Sequence, residues 1–155
     1  MSNSIFDDDQ YEVEPKIDFE WVKTLFRKDF TYNDYKNWPE NVHAEIIDGQ
    51  VYLMAAPNER HTFIQSEISY QLIHYFRGKT CLIYTAKFGV RLDYKESGLD
   101  TTTVEPDIFI VCDQSIVRGK ATCEGTPDFI LEIVSKGEAK RTCRGKHPLF
   151  IKKIV

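Results

Sequence analysis

Two carboxylates sit where an apolar chain has little use for them. Asp107 lies in the run EPDIFIVC at 105–112, and Glu132 lies in PDFILEIVS at 127–135. A bare ion buried among Val, Ile, Leu and Phe costs several kcal/mol even after relaxation, so each must lose its charge or meet a cation. Two such carboxylates in contact repel by about 4 kcal/mol at an effective dielectric of about 20. A divalent metal relieves both problems, because carboxylate oxygens bind it and it can acidify a water or neutralise a phosphate. Taken alone the pair also has a plainer reading. Asp107 then caps a turn after Pro106, and Glu132 pairs with a Lys or Arg. Lys146 could be that cation in either case.

The elements that must position these acids follow from periodicity. Both runs are apolar on both faces, which predicts strands of a sheet covered on both sides. Alternation puts Asp107 on a face with Phe109 and Val111, and Glu132 on a face with Asp128 and Ile130. If the strands align Pro106 with Pro127, the carboxylates are offset; a slip in register brings them together, and the sequence does not fix it. Upstream, HAEIIDGQVYLM at 43–54 predicts a β-hairpin on the favoured Asp48-Gly49 turn. From Glu59 to Arg77 the period becomes 3.6, with Ile64, Ile68, Leu72 and Tyr75/Phe76 as one stripe and Gly78 as the stop. Tyr70, Tyr75 and Phe76 are expected in the core, and Glu67 on a solvated face. Apolar spacing at 17–28 predicts a helix, and Thr31 caps a short one that stops at Trp38-Pro39. TCLIYT and KFGVRL at 80–92 read as strands, the second joined to the first by a bulge. A helix is expected at 138–153.

At 155 residues the chain is one domain with a real core, 17–155, behind an acidic leader at 1–16. The leader has no basic region followed by an apolar core, and the longest apolar runs are too short to span a membrane. A cytoplasmic location is the expectation. Cys81, Cys112, Cys123 and Cys143 show no metal-ligand spacing and read as incidental thiols in a reducing compartment. The net charge of −4 argues against a protein that coats nucleic acid nonspecifically. Yet residues 1–20 hold seven acids and one Lys, while 136–155 hold seven Lys/Arg and the one acid Glu138.

Taken together, AEIIDGQVYLMAAPNERH at 44–61, EPDIFIVCD, TPDFILEIVS and AKRTCRGK at 139–146 resemble the Uma family. Its members are proposed endonucleases of the restriction-endonuclease-like PD-(D/E)XK superfamily. The resemblance covers residues 30–155. It rests on a Glu-x-x-Asp-Gly hairpin, an Ala-Pro soon followed by His, a Pro-Asp strand, a Glu-Ile-Val-Ser strand and a basic helix bearing Lys. It implies an α/β (α+β) fold, a mixed central sheet flanked by helices with an N-terminal helix and hairpin.

The resemblance also implies roles. Asp107 matches the first metal-binding acid and Glu132 the second, together holding Mg²⁺ or Mn²⁺ with help from a backbone carbonyl near Ile133. The superfamily Lys, usually two residues on, is Val134 here, and Lys146 from the following helix takes its place. Glu45 and His61 match recurring positions; the plain alternatives are that Glu45 pairs across the hairpin and His61 caps the helix start. The implied activity is metal-dependent hydrolysis of phosphodiester bonds, with DNA as partner and a homodimer as the assembly it allows. Two other readings remain: a catalytically impaired remnant that binds nucleic acid or protein, and a small-molecule hydrolase using the same acids. Three positions depart from the family pattern: Ser135-Lys136-Gly137, Thr142 and Pro148. Pro148 predicts a helix short or broken there, and the stop at Val155 predicts that the final strand is missing.

Overall fold

The hairpin shows how directly local sequence sets local structure. Asp48 and Gly49 have φ of 50° and 75°, the pair of positive values that a tight two-residue hairpin turn demands. Gly49 is also pressed on the Lys28 carbonyl, where a Cβ would come within 2.6 Å of the oxygen. Strands β1 (Ala44–Ile47) and β2 (Gln50–Leu53) pair antiparallel from Ile47↔Gln50 to Ala44↔Leu53. The short helix α1 (Tyr32–Tyr35) begins at Thr31. There the Asp34 carboxylate accepts the Thr31 N–H at 2.9 Å and its hydroxyl at 3.0 Å. The long helix α2 (Glu59–Phe76) begins at Asn58, whose side chain accepts the His61 N–H at 2.9 Å. Gly78, at φ 78°, lies just beyond its end.

The structure is a computed structural model that describes residues 27–39, 42–85 and 88–134. The acidic leader, most of the helix expected at 17–28, the C-terminal helix with Lys146 and Pro148, and the question of a final strand lie outside these residues. Six further strands are β3 (Leu82–Thr85), β4 (Val90–Arg91), β5 (Thr103–Val104), β6 (Ile108–Val111), β7 (Cys123–Glu124) and β8 (Phe129–Leu131). The class is α+β, as the sequence predicts, with the strands shared between two sheets. One has the order β2-β1-β5-β4-β7 and is mixed, since β4 and β7 run parallel. The other has the order β3-β6-β8 and is antiparallel. The 80–85 and 87–92 segments, expected as neighbours, therefore belong to different sheets. β5 and β7 fall in stretches that read as loop, because two residues show no period.

The core lies between the sheets. Ile47, Val90, Val104 and Cys123 from the first meet Phe109, Val111 and Ile130 from the second. The Tyr84 and Phe88 rings stack near that of Phe109, with centroids 5.0 and 6.1 Å away. All four residues of β6 are buried, as expected for a strand covered on both faces. Full burial of a side chain such as Phe109 contributes roughly 1.5–3 kcal/mol. Helix α2 packs on β3, with Ile64, Ile68, Leu72 and Phe76 half-buried. Two of its expected core aromatics do not join them. Tyr70 is 69% and Tyr75 64% exposed, because both lie off the i, i+4 stripe. Glu67 is exposed, as expected.

Cysteines give a second correction. Counting on from the Leu82↔Val111 pair puts Cys81 opposite Cys112, and the two form a disulfide with Cα atoms 3.9 Å apart. They are not incidental thiols. Cys123 is free and buried, and burial pushes its thiol up to about 11. Among the described residues no helix is long and apolar enough to cross a membrane.

Candidate active site

Strand polarity, which the sequence left open, sets the register of the two acid-bearing strands. β6 and β8 are adjacent and antiparallel, paired Ile108↔Leu131, Phe109↔Ile130 and Ile110↔Phe129. Counting on one residue sets Asp107 across from Glu132. The chains still run together there, since the Ile133 N–H donates to Asp107 Oδ2 at 2.7 Å. Directly opposed residues present their side chains on one face, with Cβ atoms about 4.5–5.5 Å apart. Alternation from Phe109 and Ile130, both in the core between the sheets, puts the acids at the rim of that core. Pro106 and Pro127 therefore lie at opposite ends of the paired stretch rather than side by side.

Glu45 approaches from the other sheet. It is 5% exposed and shares its face of β1 with the core residue Ile47. Its Oε1 accepts the Glu105 N–H at 3.1 Å, and Glu105 stands two residues before Asp107 on the connection from β5 to β6. The Tyr35 hydroxyl donates to Glu105 Oε1. Burial and then Glu105 raise the Tyr35 phenol well above its ordinary value, so it remains a donor. No local pattern marks Tyr35 or Glu105, because their contact joins residues seventy positions apart.

His61 is not the helix cap; Asn58 fills that place. Its ring instead reaches Asp107, with Nε2 3.1 Å from Oδ2. Asp107 Oδ2 already accepts the Ile133 N–H, so Nε2 serves as a second donor to it. Nδ1 is buried with no hydrogen-bond partner. One turn further along α2, the Gln65 amide donates to the Asp107 carbonyl at 2.7 Å. Nothing in the sequence marked Gln65, although four residues from His61 is the spacing that shares a helix face.

Asp107, Glu132 and Glu45 are the oxygen donors of this region, the kind that hard divalent cations prefer. Among the described residues, no three His, Cys, Asp or Glu side chains form a group that could hold a metal ion. A cation of the Mg²⁺ type keeps several waters and takes only one or two carboxylates, so a three-ligand group is not a requirement for it. Lys146 lies outside the described residues.

Known proteins give an independent comparison. The model of the Uma2 family, described as "Putative restriction endonuclease", matches residues 32–154. Among solved structures, the chain is similar to a "putative nuclease belonging to DUF820" from Anabaena variabilis ATCC 29413. The TM-score is 0.57 at 18% identity, over 74% of this chain and 63% of that one. The chain thus spans less than two thirds of that relative, and at this identity the likeness speaks for the fold. No curated protein matches the sequence.

Proposed function

The chain belongs to the Uma2 family, and from that premise we propose that it is a metal-dependent endonuclease hydrolysing phosphodiester bonds of DNA. What supports this reading is the β6–β8 register, which carried one step beyond Ile108↔Leu131 sets Asp107 across from Glu132, together with the Ile133 N–H and His61 on one oxygen of Asp107. That oxygen is oriented by the protein, which leaves Oδ1 to face a ligand. Asp107 and Glu132 would hold Mg²⁺ or Mn²⁺. A bound divalent cation supplies charge against the phosphodiester and acidity to a water. Glu45, tied to the Glu105 N–H, adds negative charge at the same rim and would orient waters there. Lys146 would stabilise the charge that develops on the phosphate. A cytoplasmic location and a homodimer go with this reading.

A second reading is favoured by one observation, that no three-ligand group forms among the described residues. The chain would then be an impaired form of the fold that binds nucleic acid or protein. Nicking of supercoiled plasmid with Mn²⁺, by the wild type and by Asp107→Asn, separates the two. Cleavage by the wild type and at least a hundredfold loss in Asp107→Asn are expected. Wild-type nicking that is absent, or equal in Asp107→Asn, would overturn the nuclease reading.

A further inference from the structure

Asp107 stands one residue beyond the last paired positions of β6 on both sides, Thr85↔Ile108 and Ile108↔Leu131. Its predecessor is Pro106, which has no N–H to give. A backbone at such a place lies past the last paired residues of the sheet, yet its side chain must be held. The Gln65 amide takes over that task, donating at 2.7 Å to the Asp107 carbonyl in a partly buried setting. The main chain of Gln65 is set by the helix, where the hydroxyl of Ser69, 9% exposed, also donates to its backbone carbonyl at 2.6 Å. One turn earlier on the same helix, His61 holds the Asp107 carboxylate.

From this geometry we propose that Gln65 is a positioning residue for Asp107, an inference that rests on the nuclease reading above. Gln65 and His61 form a two-point clamp, one on the main chain and one on the side chain. The division matters chemically. A donor to the carbonyl fixes the residue without occupying a carboxylate lone pair, so the acid is held in place and keeps an oxygen for its ligand. Partners that orient a ligand in this way typically govern metal affinity or activity by about ten- to a hundredfold. Asn at 65 would be too short, and Glu would set an acceptor against an acceptor.

Gln65→Leu keeps the size and removes the donor, so it is the informative variant. Two readouts are taken on the full chain: Mn²⁺-dependent plasmid nicking, with kcat and KM separated, and amide hydrogen exchange by NMR. The Ile133 N–H reports on Asp107 through its bond to Oδ2. The Asp128 N–H, bonded to the Ile110 carbonyl, reports on the β6–β8 pairing alone. In Gln65→Leu the expected result is Ile133 exchange about tenfold faster, Asp128 exchange unchanged, kcat down about tenfold and KM for DNA within twofold. Gln65→Lys, which restores an N–H donor, is expected to recover most of the kcat. Unchanged Ile133 exchange overturns the proposal, and so does unchanged kcat beside altered exchange. Equal acceleration of both amides also overturns it, since Gln65 would then only hold the fold together. If the wild type nicks nothing, the nuclease reading falls, and the exchange arm alone still decides whether Gln65 fixes Asp107.

Discussion

On the nuclease reading Asp107 serves stability and chemistry with one carboxylate, and the two can be measured apart. Oδ2 satisfies the Ile133 N–H and His61 Nε2. Leaving a buried donor without its acceptor costs about 1–3 kcal/mol. Asp107→Ala is therefore expected to lower the melting temperature by several degrees as well as abolish nicking. Calorimetry checks the first effect; an unchanged melting temperature would mean water replaces the carboxylate at no cost. Asp93 gives a cleaner pH test. Burial works to raise its pKa, but the N–H groups of Thr101 and Thr102, at 3.0 and 2.9 Å, outweigh that and lower it. A depressed folded-state value means that Asp93 stabilises the fold above about pH 4 and loses this as pH falls through that value. Asp93→Asn should flatten the acid limb of melting temperature against pH, and be nearly silent in slope at neutrality. A wild-type acid limb no steeper than the variant's would show that the loop at 93–102 does not draw on this carboxylate.

Between elements, the bond from Cys81 to Cys112 ties β3 to the far end of the strand whose other end carries Asp107. It spans 31 residues, and a loop of that length corresponds to about 3–4 kcal/mol in the chain-entropy view. Reduction, or Cys81→Ser with Cys112→Ser, should lower the melting temperature, with a thiol count rising by two on reduction. An equal melting temperature with and without reductant would show that the β3–β6 ladder suffices by itself. This pairing also shows what the sequence could and could not reveal. The Asp48-Gly49 hairpin and α2 were legible because their determinants lie within a few residues, a turn pair in one case and a cap and stripe in the other. Asp107 and Glu132 were legible as charges in apolar runs. Their opposition was not, because strand polarity is decided by the route between them, through a 3-10 turn (Gln114–Ile116) and β7. Cys81 against Cys112, Tyr35 with Glu105 and Gln65 with Asp107 are likewise long-range contacts, and no local pattern encodes them. Tyr70 and Tyr75 misled because aromatic character alone does not tell which side of a helix is covered.

Across the whole molecule the charge is divided. Seven Lys/Arg fall within 136–155 against one acid, while the net charge is −4. A site rimmed by Asp107, Glu132 and Glu45 repels a phosphate backbone unless cations stand beside it, from the solvent or from the protein. The basic stretch would supply the protein's share, and the acidity elsewhere would keep the chain from coating DNA indiscriminately. If so, the logarithm of the DNA affinity should fall linearly with the logarithm of salt concentration, at about 0.9 per phosphate neutralised. Neutralising Lys140, Arg141 and Arg144 together, to Gln, should flatten that slope by about two to three, with the melting temperature little changed. Leaving Lys146 in place keeps the proposed catalytic group out of the comparison. Fluorescence anisotropy of a labelled duplex, titrated at several salt concentrations without metal, reads the slope directly. A slope equal to that of the wild type would move the DNA off the 136–155 stretch and on to another face.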